Sequence, residues 1–458
     1  MKKRILSVLT ICALIVSAAS CGGTSAPAST NAAAQTEAAA TEAAQTAEAA
    51  ATETAATEAA QTEAAATEAA PAAEEKVIPE DTPYVIENGI TDRMKALANY
   101  IEGNRARLAK VFKKAQAGEP ITVAYLGGSI TQGSSAGPTT CYAYLTTKWL
   151  EETFPESKIN YVNAGIGATG SYIGVFRTDR DVLSQNPDLV FIDFSVNDTV
   201  ENTERNIASY DGVIRKLWEA DCAPAVITVA MTMEDGTSFQ QYHSEVCKAY
   251  DIPMISYHDA ILDVIDNGHI KWTDISDDNI HPNVVGHSVL TEIITSYLQK
   301  ALDELDTIDT EHESDLSTVY KSDKFSTAYI VVPGDPQNIG EAGWEDKQDD
   351  LFGNFGGYWR ALSKDGSFEG LEPLKFEVEA KSIGLFYGKM VSNGGTFDVL
   401  VDGELVKTIN SDFKGGWGSY VEAEEIIDFD ECGTHTVEIV VHTGEKAVVM
   451  ISALALTK

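Results

Sequence analysis

Four short stretches of the 458-residue sequence hold residue types from which nucleophilic and acid–base chemistry is built. The apolar run Ile121–Leu126 (ITVAYL) ends in Gly127-Gly128-Ser129-Ile130-Thr131. This puts a hydroxyl just past the carboxyl end of a buried strand, where open α/β sheets place their ligands. The glycines let the chain turn sharply and let a substrate approach the backbone. A second apolar run is followed by the glycine-rich Asn163–Gly170 (NAGIGATG), with free backbone N–H groups. A third is followed by Ser195-Val196-Asn197-Asp198, which adds a side-chain amide. Asp278-Asn279-Ile280-His281-Pro282 lies beyond the last run and supplies an imidazole and a carboxylate. Each stretch alone is as readily a turn as a site, and they share one edge only if the strands before them are parallel.

The elements between them imply that arrangement. Ile121–Leu126, Ile159–Val162, Leu189–Phe194, Ala225–Ala230 and Pro253–Ser256 are apolar without polar alternation, as strands buried on both faces are. Helical stretches separate or follow them at Thr140–Phe154, Gly170–Ser184, Thr203–Ala220, Ser238–Ala249 and Val284–Leu305. Alternating strands and helices predict a parallel sheet with helices on both faces. A leading helix is expected over Asp92–Ala115, with Met94, Leu97, Ile101, Leu108 and Val111 on one face. After about residue 315 the pattern turns to short strands: Tyr329–Val332, Leu374–Val378, Ser382–Tyr387, Thr396–Val401, Val406–Ile409, Thr434–Val441 and Ala447–Leu456. These predict an all-β sandwich, with a hairpin at the Asp402-Gly403 turn.

In this order, GGSITQG, NAGIGATG, SVND and DNIHP resemble the four blocks of the SGNH (GDSL-type) serine hydrolases, over residues 118–303. The resemblance implies a three-layer α/β/α fold with a parallel central sheet. It also implies roles. Ser129 would attack an ester carbonyl, His281 would act as general base and then acid, and Asp278, three residues earlier, would orient and stabilise the imidazole. The N–H groups of Ser129 and Ala168, with Gly167 as the alternative to Ala168, and the Asn197 amide would form the oxyanion hole. The mechanism requires no metal and no organic cofactor. Two departures stand out: Gly128 takes the place of a common Asp, and the donor glycine of the second block falls on Ala168.

Blander roles compete for the same residues. Asn197 could cap a helix beginning near Thr199, and Asp278 could belong to a solvated acidic loop with Asp274 and Asp277. Packing or surface roles are expected for His243, His258, His269 and His287, and ion pairs with Asp179 or Asp181 for Arg177 and Arg180.

The remaining sequence sets context. Seventy acidic against 33 basic residues give a net charge of −37, which disfavours nucleic acid and anionic-lipid partners. Residues 1–21 read as an export signal, with Lys2, Lys3 and Arg4 ahead of an apolar run too short to span a bilayer. Its end, Ser17-Ala18-Ala19-Ser20-Cys21, resembles a bacterial lipobox, with Ala18 where Leu is usual; an ordinary cleaved signal is the alternative. Cys21 would then be lipidated, making the protein a lipid-anchored one on the extracellular face of the cell membrane. Residues 22–75 are Ala, Thr and Glu rich, repeat QTEAAATEAA at 35–44 and 61–70, and form no core, so a disordered linker is expected. Folded domains follow at 76–310 (hydrolase) and 315–458 (a jelly-roll-like β-sandwich). Cys141, Cys222, Cys247 and Cys432 show no metal-ligand spacing.

A tethered esterase with an appended β-sandwich suits a polymeric substrate, and within the resembled family such arrangements point to O-deacetylation of a polysaccharide, xylan first. No long apolar lid favours a lipase. Trp344, Tyr358, Trp359 and Trp417 lie in Gly-rich surroundings and are candidate sugar contacts, with closure of the sandwich core as their alternative role. A catalytically inert glycan-binding lipoprotein and a lipase or phospholipase are the competing functions.

Overall fold

The computed structural model describes residues 76–458, apart from Asn354, Lys364, Glu369 and Thr443–Glu445. The expected export signal with Cys21 and the linker 22–75 lie outside the described residues. The chain enters through α1 (Asp92–Ala98), β1 (Asn99–Ile101) and α2 (Ala106–Gln116), so the leading helix expected over 92–115 is broken. Past the break Gly103 adopts φ +63°, and a side chain there would collide with Pro253, so the turn into α2 needs glycine. The freed segment adds an antiparallel edge strand to the sheet.

Five parallel strands form the centre: β2 (Ile121–Gly127), β3 (Ile159–Gly165), β4 (Leu189–Asp193), β5 (Ala225–Ala230) and β6 (Met254–Ser256). With them come α3 (Ser129–Gln132), α4 (Tyr142–Thr153), α5 (Ser171–Asp181), α6 (Thr203–Glu219), α7 (Gln240–Tyr250), α8 (Tyr257–Asp266), α9 (Trp272–Ile275) and α10 (Val284–Asp303). The runs are apolar throughout because both faces are covered. Val123 and Tyr125 pack with α2, α4 and α10, while Ala124 and Leu126 pack with α5, α6 and α7. The strand order β1-β6-β5-β4-β2-β3 reverses direction at β2, which opens a crevice at that strand's carboxyl end.

The second domain contains β7 (Tyr329–Val331), β8 (Asn338–Gly340), β9 (Glu345–Lys347), β10 (Tyr358–Leu362), β11 (Leu374–Lys389), β12 (Thr396–Val401), β13 (Glu404–Asn410), β14 (Tyr420–Val441) and β15 (Val448–Thr457). All pairings are antiparallel, in an all-β sandwich. The predicted hairpin forms with Asp402 at φ +52° and Gly403 at φ +82°, the backbone a two-residue β-turn requires. Two expected strands, Leu374–Val378 and Ser382–Tyr387, are halves of one: β11 runs through bulges between Ala380 and Gly384. The expected Thr434–Val441 is only the end of β14.

Burial along β11 explains how the domains dock. Its first half alternates buried and exposed, and its second half is buried on both faces. Leu385 and Tyr387 face the sandwich core, and Phe386 faces the α/β layer together with Ala453 and Ala455 of β15. Phe386 meets Phe176 edge-on at 5.7 Å and Tyr172 at 6.2 Å. Burying each such ring contributes roughly 1.5–3 kcal/mol. The connecting segment is strapped to α6: Asp211 accepts the Lys321 N–H (2.8 Å), Arg215 donates to the Leu316 carbonyl (2.7 Å), and Phe325 packs among Tyr172 and Phe176.

Candidate active site

The crevice at β2 holds the four sequence stretches. Ser129 opens the single turn α3, which is closed by Gln132 N–H to Gly128 O (3.0 Å) and Gly133 N–H to Ser129 O (3.1 Å), with Gly133 at φ +98°. At the first position of a helical turn the Ser129 N–H has no intrahelical partner. Ser129 Oγ lies 2.9 Å from His281 Nε2, and His281 Nδ1 lies 2.8 Å from Asp278 Oδ2. The structure thus brings the three predicted residues together in one relay.

The loop carrying the base is braced at several points. Asp278 Oδ1 accepts the Ile280 N–H (2.7 Å) and the His281 N–H (2.6 Å). The Asp278 carbonyl accepts the Trp272 indole N–H (2.6 Å) and the Ser276 hydroxyl (2.7 Å). Asn283 caps α10 through the N–H groups of Val285 and Gly286. Partial burial pushes the Asp278 carboxyl up, but the His281 N–H, the imidazole and the Ile280 N–H outweigh it and hold the carboxyl below its usual range. A carboxylate facing Nδ1 favours the tautomer protonated there, which leaves Nε2 to accept from Ser129.

Ala168, Gly167 and Asn197 line the same cleft, a space of about 400 Å³. Ala168 sits at φ +58°, a left-handed turn that ordinarily favours glycine, as expected where a glycine of the second block would stand. Gly128 also has a steric reason, since a Cβ there would fall inside the Asn197 amide group. Asn197 is not a helix cap, because the following 3-10 turn has Thr199 before it and no side-chain cap. What fixes its loop is Asp198, which sequence reasoning left without a role. Its Oδ1 accepts the Ser171 N–H and its Oδ2 meets His243 Nε2, both at 2.8 Å and buried. His243 stacks on Tyr210 at 3.7 Å. A buried polar pair with satisfied partners locks the backbone around it.

Other titratable groups take the packing roles expected of them. His287 is fully buried, accepts the Tyr142 N–H at 3.0 Å, and is lowered by burial to about 4. His258 pairs with Asp259 and His269 with Asp81. Arg177 pairs with Asp181 and donates to the carbonyls of Ala164 (2.6 Å) and Gly127 (2.9 Å), clamping the ends of β3 and β2 below the catalytic loops. Arg180 shares Asp181 and reaches the Phe355 carbonyl of the β domain (3.0 Å).

The candidate sugar contacts divide. Three are corrected: Trp344, Tyr358 and Trp359 are buried, because their rings fill apolar cores and leave no face for a ligand. Trp359 packs edge-on to Phe376 at 5.2 Å, and the Trp344 indole N–H donates to Glu372 O. Trp417 is 74% exposed, stacks on Tyr420 at 5.0 Å, and lines the cleft opposite the relay. Phe352 and Tyr420 join it there and were missed. Only the Gly-rich spacing around Trp417 hinted at this wall.

The family described as the GDSL-like lipase/acylhydrolase family matches residues 125–289. Among solved structures, a two-domain esterase active on acetylated mannans, co-crystallized with mannopentaose, is similar at 30% identity and a TM-score of 0.69, over 81% of this chain and 98% of its own. A second structure of a two-domain esterase active on acetylated mannans matches with the same values. An acetyl xylan esterase matches at 24% identity and a TM-score of 0.33, over 38% of this chain and 98% of its own. No curated protein matches the sequence.

Proposed function

We propose that this chain, which belongs to the GDSL-like lipase/acylhydrolase family, is a serine esterase that removes O-acetyl groups from an acetylated hemicellulose. The observation that carries the reading is the Ser129–His281–Asp278 relay opening into a cleft whose facing wall is the stacked pair of exposed Trp417 and half-buried Tyr420. Flat aromatic faces suit sugar rings, and the cleft leaves room beside them for a small acyl group.

In this reading Ser129 Oγ attacks the acetyl carbonyl while His281 Nε2 takes its proton and Asp278 stabilises the imidazolium. The charge that builds on the carbonyl oxygen is met by the N–H groups of Ser129 and of Ala168 or Gly167 and by the Asn197 amide. Collapse of the intermediate expels the sugar oxygen, which takes the proton from His281. Water, deprotonated by the same nitrogen, then releases acetate and restores the serine.

The two-domain esterase named above acts on acetylated mannans, and the sequence reading put xylan first, so both polymers belong in the test. Acetate release is expected from at least one of them, and Ser129→Ala is expected to abolish it. A purified chain whose Ser129 reacts with a serine-directed phosphonate, yet frees no acetate from acetylated mannan, acetylated xylan or small acetylated sugars, would refute the substrate. Preference for long-chain p-nitrophenyl esters would favour a lipase instead. Attachment to the outer face of a membrane through Cys21 is part of the proposal. It is tested by lipid labelling of the wild type against Cys21→Ser, which should lose the label and leave the membrane fraction.

A further inference from the structure

Behind Trp417 and Tyr420 a second cavity of about 480 Å³ opens, and it shares Ala168, Asn197 and both rings with the catalytic cleft. Arg205 lines it, with Asn202 and Tyr172 beside it. Every other arginine among the described residues contacts a carboxylate at 3.1 Å or less; Arg205 contacts none. Its Nε is buried without a hydrogen-bond partner, and its guanidinium lies 4.6 Å over the ring of buried Tyr172. In a chain with 70 acidic residues an unpaired arginine is conspicuous.

Its position is also electrostatically unfavourable. Arg205 stands in the first turn of α6, where the exposed N–H groups already repel a cation, and Asn202 makes no side-chain cap. The two carboxylates that line the cavity are engaged elsewhere. Asp198 holds the Ser171 N–H and His243, and Glu422 holds the Tyr420 hydroxyl and the Ala423 N–H. What remains is a fixed guanidinium fork facing a polar cavity next to the acyl site, a geometry matched to a carboxylate.

We propose that this cavity is a subsite for a carboxylate-bearing sugar, a uronic acid residue borne by the polymer close to the acetylated ring, with Arg205 as its ion partner. The inference rests on the polysaccharide reading above. It makes acidic hemicellulose the preferred substrate class, and it makes Trp417 the partition between the acetylated ring and its acidic neighbour.

The test uses the full chain carrying Ser129→Ala, titrated calorimetrically with a xylo-oligosaccharide bearing one glucuronic acid and with its neutral counterpart. The acidic ligand is expected to bind about tenfold tighter. The difference should shrink at raised ionic strength, vanish in Arg205→Gln and partly return in Arg205→Lys. Thermal unfolding of each variant shows that it is folded. In the active chain, Arg205→Gln should lower the ratio of kcat/KM for acidic over neutral acetylated oligosaccharides by a similar factor. Equal binding of the two ligands, or a preference that survives Arg205→Gln, overturns the subsite while leaving deacetylation standing. If no polymer yields acetate at all, the polysaccharide reading falls first and the subsite with it.

Discussion

On one side of the catalytic cleft stand Ser129, Asn197, Asp278 and His281; on the other stand Phe352, Trp417 and Tyr420. The first group sits on loops that leave parallel strands or brace α10, and backbone hydrogen bonds fix those loops within a few residues. The second group comes from loops of the sandwich and the first residue of β14, and owes its place to the docking of β11 and β15 on α5 and α6. A reacting centre has to be held to a fraction of an ångström, and hydrogen-bonded turns provide that. A wall that receives sugar rings needs only a flat apolar face at roughly the right distance. The comparison therefore separates chemistry from choice of substrate, and each side can be attacked alone.

The largest effect is expected on the relay side. Asp278→Asn should lower kcat by about 10⁴-fold on every ester tried, because the amide no longer holds the imidazole in the working tautomer. Steady-state kinetics on p-nitrophenyl acetate and on an acetylated oligosaccharide checks this; a loss confined to the oligosaccharide would erase the division between the two sides. Asn197→Ala should come next, at roughly 100- to 1000-fold in kcat with little change in KM, as for any single oxyanion donor. His287 probes stability on the same side. Its folded-state value of about 4 lies below the ordinary 6.5, so the unfolded chain binds the proton first as pH falls. Stability should therefore drop by about 3 kcal/mol between pH 6.5 and pH 4. His287→Gln should flatten that part of the curve in denaturant titrations followed by tryptophan fluorescence. Smallest is the aromatic side. Trp417→Ala should lower the ratio of polymer to p-nitrophenyl acetate kcat/KM by roughly three- to tenfold, the worth of one ring contact. An equal fall on both substrates would mean that the ring supports the relay after all.

The same division decides what the sequence revealed. Ser129, Asn197, Asp278 and His281 were legible because strand-end loops keep functional residues in short, ordered blocks, and buried parallel strands announce themselves as apolar runs. The break after α1 was passed over because the apolar spacing on either side of it continues at helical period, while the strand that pairs with Asn99–Ile101, β6, is remote in sequence. The split of β11 at Lys381 followed from its alternation, which stops where its second face meets the other domain. Trp344, Trp359 and Trp417 look alike in sequence, each within two residues of a glycine. Only tertiary packing places the first two in a core and the third in the open. Asp198 and His243 are 45 residues apart, and nothing local in the chain links them.

The apolar seam between the layers has a practical side. A fragment consisting only of residues 315–458 would turn Phe386, Ala453 and Ala455 toward water, where they are buried in the intact chain. Such a piece would be colloidally unstable, and its retention in a glycan gel would report stickiness as readily as affinity.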